Sequence, residues 1–93
     1  MLSCANNQIT SIPVSVGDLL QLETLDFSQN KITNIPEELG ELDMLQILKL
    51  GGNAIKELPY ELAGLPELAE LHLQDNEITQ LPEELQVVIL LSF

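Results

Sequence analysis

The chain repeats itself with a period of 23 residues. Asparagine recurs at Asn7, Asn30, Asn53 and Asn76, and proline recurs at Pro13, Pro36, Pro59 and Pro82. Around each asparagine, leucine and isoleucine keep fixed places in the template L-x-x-L-x-L-x-x-N-x-I-x-x-L-P-x-x-L-x-x-L, which residues 45–65 match throughout. A period of this length with this leucine spacing predicts a solenoid, in which each repeat forms one coil and stacks on the next.

Each repeat divides into a strand and a return segment. In Leu25-Asp26-Phe27 and its copies, apolar and polar residues alternate, which predicts a strand with one buried face. Copies 23 residues apart run in the same direction, so they predict a parallel sheet whose strands are joined by the rest of each repeat. After the proline, acidic residues and inward leucines predict a short helix or 3₁₀ turn, with proline at its first position.

The asparagines end the strands. A carboxamide can donate to and accept from backbone groups of the adjoining turn that would otherwise be buried without partners. We therefore expect a structural ladder of one asparagine per coil at Asn7, Asn30, Asn53 and Asn76.

The repeat resembles the leucine-rich repeat family over almost the whole chain. The 23-residue form with a Leu-Pro or Ile-Pro corner is similar to the intracellular repeats of Scribble-type cortical scaffolds, Ras-pathway scaffolds and many bacterial and plant cytosolic proteins. The expected fold is a curved, right-handed α/β solenoid with a parallel sheet on its concave face and short helices or 3₁₀ turns on its convex face. We expect one domain over residues 1–93, with repeats at 1–21 (partial), 22–44, 45–67 and 68–90, and a truncated or capping segment from residue 91.

Charge and composition exclude several classes of partner. The formal net charge is −12, from 15 acidic residues against Lys31, Lys49 and Lys56. Nucleic-acid binding needs clustered cations that displace counterions from phosphate, so neither nucleic acid nor an anionic membrane is an expected partner. The single cysteine, Cys4, the absence of a basic, apolar leader at the N-terminus, and the short apolar run Val87–Leu91 predict a soluble, cytoplasmic protein.

Alternate strand residues point away from the core and form rows across the sheet. The central row is Ser3, Asp26, Lys49 and His72, and the flanking rows are Thr24, Ile47 and Glu70 on one side and Ala5, Ser28, Gly51 and Gln74 on the other. The family resemblance implies that this concave face binds another protein. The predicted partner-binding residues are Thr24, Asp26, Ser28, Ile47, Lys49, Gly51, Glu70, His72 and Gln74.

The same rows argue against an enzyme. Ser3, Asp26 and His72 are the residue types of a catalytic triad, but strands lie ~4.8 Å apart, which separates Ser3 from His72 by roughly 14 Å. A triad needs hydrogen-bond contact between the nucleophile and its base. His72 with Glu70 and Asp75 offers too few ligands for zinc. We therefore expect no catalytic site, no metal, no cofactor and no small-molecule substrate.

Two local features of the concave face have alternative interpretations. Asp26 and Lys49 could form an ion pair across adjacent strands. An exposed pair contributes only ~0–1 kcal/mol to stability, so the two residues are explained equally well as balancing charges on the sheet. Ile47 beside Gly51 and Gly52 predicts a shallow depression that could anchor a partner's side chain. An exposed position under no constraint explains the same residues equally well.

Most acidic residues fall on the return segments, away from the concave face. They are Glu37, Glu38, Glu41, Asp43, Glu57, Glu61, Glu67, Glu83 and Glu84. The favoured interpretation is a solvated outer face, and the alternative is an acidic patch that steers a basic partner.

A second function hypothesis is a structural unit that assembles end to end. No polar cap is evident at the N-terminal end of the repeat array, and the apolar tail 87–93, in which Leu91 takes the first leucine position of a fifth repeat, forms either a lid or an exposed end. We therefore expect either a fragment of a longer repeat array or a chain that associates with itself. Leu91 and Phe93 are therefore candidates for self-association into a homo-oligomer.

Overall fold

The computed structural model describes residues 1–79 and 90–92. The strands are β1 (Leu2–Ser3), β2 (Thr24–Asp26), β3 (Ile47–Lys49), β4 (Glu70–His72) and β5 (Leu90–Ser92), and the 3₁₀ helices are η1 (Val14–Asp18), η2 (Glu37–Glu41) and η3 (Tyr60–Gly64). From β1 to β4, strands and 3₁₀ helices alternate along the chain as the repeat predicts.

The strands form one parallel sheet in the order of the sequence, β1-β2-β3-β4-β5. Leu25 pairs with Leu48 and Leu48 pairs with Leu71, so equivalent residues of the second, third and fourth coils face each other. The parallel solenoid predicted from the 23-residue period is confirmed.

The interior is a stack of aliphatic side chains. Leu25, Leu48 and Leu71 have no exposed surface, and Phe27, at 2% exposure, is the one aromatic side chain in this core among the described residues. Cys4 is half-buried and packs against the same cluster. Because each leucine lies directly beside its equivalent in the next coil, one continuous core joins the coils.

The return segments are 3₁₀ helices of five residues, and proline stands before them rather than at their first position. Pro36 has φ −70° and ψ 144°, an extended conformation, and its carbonyl oxygen accepts the first i→i+3 hydrogen bond, from Leu39 N, at 3.2 Å. The prediction that proline opens the helical turn was therefore off by one residue. Proline fixes φ but leaves ψ free, and an extended ψ turns the chain into the corner.

The fifth strand begins closer to the fourth strand in sequence than the 23-residue period predicts. Leu91 pairs with Leu71, a step of 20 residues where the other strands are 23 apart. The sequence-based placement of Leu91 at the first leucine position of a fifth repeat was therefore wrong. The template stops at Leu85, so no asparagine or leucine beyond it holds the register, and the apolar run supplies a leucine three residues sooner.

The residue before each ladder asparagine adopts a left-handed backbone. Asn6, Gln29, Gly52 and Asp75 have φ values of 60°, 56°, 72° and 57°. This conformation turns the chain out of the strand, and only Gly52 adopts it without steric cost. Among the described residues, no helix is long and apolar enough to cross a membrane.

Candidate interaction face

The sheet register places the predicted partner-binding residues in three rows on one face. Thr24, Ile47 and Glu70 form one row and Asp26, Lys49 and His72 the next. Ser28, Gly51 and Gln74 lie two residues beyond the ends of β2, β3 and β4. Glu70 is exposed, Gly51 is buried, and the other seven are half-buried. We call these nine residues the concave face.

The asparagine ladder fixes the backbone beneath this face. Asn53 Nδ2 donates to the carbonyl oxygens of Leu50 at 2.9 Å and of Phe27, in the preceding coil, at 3.1 Å. Its Oδ1 accepts a hydrogen bond from Ile32 N at 3.0 Å. Asn30 and Asn76 repeat this pattern. Each of these three side chains therefore ties its own coil to the one before it.

Asn7 differs from the other members of the ladder. It is exposed, and its Nδ2 donates only within its own coil, to the carbonyl oxygens of Cys4 at 3.0 Å and Ala5 at 3.1 Å. Asn7 closes the turn after β1 without joining two coils.

Asp26 bonds within its own coil instead of pairing with Lys49. Its Oδ1 accepts hydrogen bonds from Ser28 N at 2.9 Å and from Ser28 Oγ at 2.6 Å. Within residues 1–79 and 90–92, no carboxylate forms a salt bridge with Lys49. The pairing considered from the sequence is therefore absent from this part of the chain, because the aspartate turns toward two nearer donors.

His72 contacts Glu70 on the same strand. Its Nε2 lies 3.1 Å from Glu70 Oε1, and its side chain is 28% exposed. Over the described residues, no group of three histidine, cysteine, aspartate or glutamate side chains is placed to hold a metal ion. In the central row, Lys49 separates Asp26 from His72, which keeps these two side chains apart.

The depression predicted beside Ile47 is filled. A methyl group added at Gly51 would lie 2.5 Å from Gln74 Nε2, and one added at Gly52 would lie 2.5 Å from Gln29 Nε2. The amides of Gln74 and Gln29 thus lie over the two glycines. Ile47 precedes Gly51 by four residues, which is roughly 13 Å along the strand. The isoleucine and the glycine are therefore too far apart to line a single depression.

Sequence reasoning missed the covering role of Gln29 and Gln74. The sequence does contain a signal for this role at the equivalent positions 28–29, 51–52 and 74–75. The third coil has two glycines there, and the coils on either side each have a glutamine. Adjacent strands lie ~4.8 Å apart, so a long side chain reaches the neighbouring backbone.

The acidic residues of the return segments surround the coils on the side away from the concave face. Glu37, Glu41, Asp43, Glu57 and Glu67 are exposed, whereas Glu38 and Glu61 are half-buried. Glu83 and Glu84 lie outside the described residues, and so does Phe93. Leu91 is described only as part of β5.

An open apolar hollow lies beside the first coil. It has a volume of ≈ 380 Å³ and is lined by Met1, Leu19, Leu20, Gln21 and Leu22. Met1 is 79% exposed and Leu20 58% exposed. This hollow is formed by the N-terminal residue and the segment before β2, apart from the nine residues of the concave face.

A sequence profile of a leucine-rich repeat region matches residues 1–92. The chain belongs to the leucine-rich repeat family. It is also similar in structure to a leucine-rich repeat protein of Leptospira interrogans, with a TM-score of 0.69 and 33% sequence identity over 99% of this chain. The chain spans 30% of the length of that Leptospira protein. No curated protein matches it in sequence.

Proposed function

We propose that this chain is a non-enzymatic protein-interaction module whose concave face binds a partner protein. The observation that carries the proposal is that the outward side chains of β2, β3 and β4 take no part in the hydrophobic core. The core takes Leu25, Leu48 and Leu71 from the opposite side of the sheet. The outward rows are therefore free to contact another molecule.

The ladder supports binding by keeping the face rigid. Three asparagines fix the chain where the strands end, and the stacked leucines fix it from beneath. A face that is already ordered loses little conformational entropy on association, so more of the contact energy appears as affinity. The partner would meet side chains at fixed spacings of one strand in one direction and two residues in the other.

The form of the repeat suggests which subgroup of leucine-rich repeat proteins the chain belongs to. We place the chain with the intracellular, 23-residue repeats of scaffold proteins and bacterial cytosolic proteins, and the similarity to the Leptospira protein supports the bacterial form. The net charge of −12 disfavours nucleic acid and anionic membranes as partners and leaves a protein as the preferred class.

The test compares two faces of one molecule. A partner is first identified by affinity capture, and its dissociation constant for the purified chain is then measured by calorimetry. The concave variant Lys49→Ala/His72→Ala should weaken binding at least tenfold, as ~1 kcal/mol or more per contact residue gives. The matched variant Glu37→Ala/Glu41→Ala, on a return segment, should leave the dissociation constant unchanged. The reverse result would refute the proposal.

Self-association remains the second candidate, on the strength of the apolar hollow at the first coil. Leu19 and Leu20 are exposed there next to Met1, and a second copy could cover them. Sedimentation over a range of concentrations would detect the assembly, and Leu20→Glu should abolish it. A monomer at all concentrations would rule this candidate out. The earlier candidate Phe93 lies outside the described residues.

A further inference from the structure

Among the described residues, the asparagine ladder leaves two backbone N–H groups of the concave face without an acceptor, those of Gly51 and Gln74, and Gly51 is the one that lies beside a lysine. The parallel ladder between β2 and β3 continues past the strand ends, where Gln29 N donates to the Gly51 carbonyl oxygen at 2.8 Å. The matching bond would run from Gly51 N to the Phe27 carbonyl oxygen. That oxygen already accepts from Asn30 Nδ2 at 2.9 Å and from Asn53 Nδ2 at 3.1 Å.

Within residues 1–79 and 90–92, the hydrogen bonds include none donated by Gly51 N. In the preceding coil, the equivalent backbone N–H has a different acceptor. There, Cys4 O accepts from Asn7 Nδ2 and Asn30 Nδ2, and Ser28 N bonds instead to a carboxylate, Asp26 Oδ1, at 2.9 Å. A carboxylate on the concave face therefore reaches this N–H.

In the third coil the equivalent of Asp26 is Lys49, a cation that cannot accept a hydrogen bond. Lys49 brings a positive charge to the place where the second coil carries a negative one. The described part of the chain contains no carboxylate in a salt bridge with it. An unbonded N–H and an unpaired ammonium group two residues apart form a site for an anion.

Gln74 covers this site. Its amide lies over Gly51, and its Oε1 is buried with no hydrogen-bond partner. A buried oxygen without a donor beside a backbone N–H without an acceptor is an unsatisfied arrangement. Movement of the whole Gln74 side chain away from Gly51 would uncover the glycine and expose Oε1 to solvent.

We propose that the site at Gly51 and Lys49 receives an aspartate side chain of the partner protein. This inference rests on the proposed function and specifies its chemistry. The incoming carboxylate accepts a hydrogen bond from Gly51 N, pairs with Lys49 Nζ and takes the place of Gln74 Oε1. In effect the partner supplies the carboxylate that Asp26 supplies in the second coil.

The acidity of the chain does not prevent this contact. The exposed acidic residues of η2 and of the following turn, Glu37, Glu41 and Asp43, lie on the return segments. On the concave face itself, Asp26 is bonded to Ser28 and Glu70 contacts His72, so neither competes directly with a carboxylate at Gly51.

The test follows the amide proton of Gly51 by NMR. The probe is the blocked peptide Ac-Gly-Asp-Gly-NH₂, with Ac-Gly-Asn-Gly-NH₂ as its uncharged control. We expect a saturable downfield shift of the Gly51 amide with the aspartate peptide and none with the asparagine peptide. The Ser28 amide, which is already bonded to Asp26, should not respond. Lys49→Gln should weaken the response up to about fivefold.

A second variant makes the test independent of peptide affinity. Lys49→Asp places a carboxylate where Asp26 stands in the second coil, so the Gly51 amide should shift downfield without peptide and lose its response to peptide. An unchanged Gly51 shift in Lys49→Asp, or a parent protein that responds equally to both peptides or to neither, would overturn the inference. Loss of partner binding in Lys49→Ala/His72→Ala without any Gly51 response would refute this inference alone. A Gly51 response without that loss would leave an anion site at Gly51 and Lys49 but would refute both the proposed function and the use of this site by the partner.

Discussion

Asn53 Nδ2 donates a hydrogen bond to the carbonyl oxygen of Phe27, one coil earlier in the chain, at 3.1 Å. This bond joins two coils through a side chain at the point where the sheet ends. It also occupies the acceptor that the Gly51 N–H would otherwise use. The same asparagine therefore stabilises the solenoid and leaves a free donor on the face that we propose binds the partner.

Replacing Asn53 by alanine should destabilise the protein strongly. The variant removes bonds to the carbonyl oxygens of Phe27 and Leu50 and the acceptor of Ile32 N. Leaving a buried polar group without a partner costs about 1–3 kcal/mol, so we expect a loss of at least about 2 kcal/mol in the free energy of unfolding, measured in urea. Asn34→Ala is the control, because Asn34 is exposed and makes one long bond of 3.4 Å. Equal stability of the two variants would contradict the role of the ladder.

Gly40 allows two 3₁₀ helices to approach closely, and alanine should not be tolerated there. An added methyl group would lie 2.7 Å from Glu61 Cβ and 3.0 Å from the Glu61 carbonyl oxygen. Backbone must move to relieve this contact, so Gly40→Ala should cost about 1–3 kcal/mol by thermal or urea unfolding. Gly64→Ala is the matched control, since nothing lies within 4 Å of its added methyl group. A neutral Gly40→Ala would show that the helices are farther apart than described.

Gly52→Ala should be destabilising for a different reason, its backbone conformation. Gly52 has φ 72°, and a left-handed residue with a side chain costs roughly 1–2 kcal/mol. Gln29 also lies over this glycine, but its flexible amide can move aside. The same substitution in a Gln29→Ala background separates the two effects. We expect the loss in unfolding free energy to persist there, and its disappearance would assign the cost to Gln29 instead.

Neighbouring residues of β3 should differ sharply in their contribution to stability. Leu48 is fully buried between Leu25 and Leu71, and Leu48→Ala should cost about 2–5 kcal/mol through lost contacts and the cavity left behind. Ile47, on the concave face, is half-buried, and Ile47→Ala should cost no more than about 1 kcal/mol. Unfolding in urea measures both. Similar losses would mean that the outward residue is part of the core.

The repeat period was enough to predict the parallel sheet and the stacked leucines. A fixed spacing of leucines permits only one arrangement in which every coil buries its own side chains against the next. The alternation along each strand likewise predicts that Thr24, Lys49 and His72 share one face, because alternate residues of a strand point the same way.

Other features of the face depend on contacts between coils, which a template does not contain. The choice of Asp26 between Lys49 and Ser28 is decided by the local geometry of one turn, where two donors stand within bonding distance. The covering of Gly51 by Gln74 depends on the conformation of a long side chain from the next strand. The early arrival of Leu91 opposite Leu71 occurs where the repeat pattern has ended.

The central claim is that one side of the sheet stabilises the fold and the other binds the partner. Its most direct test measures the free energy of unfolding and the partner dissociation constant of a single variant, Thr24→Ala/Lys49→Ala/His72→Ala. We predict a stability within about 1 kcal/mol of the parent and an affinity at least about tenfold weaker. A variant that binds as tightly as the parent, or that loses its fold together with its binding, would contradict the claim.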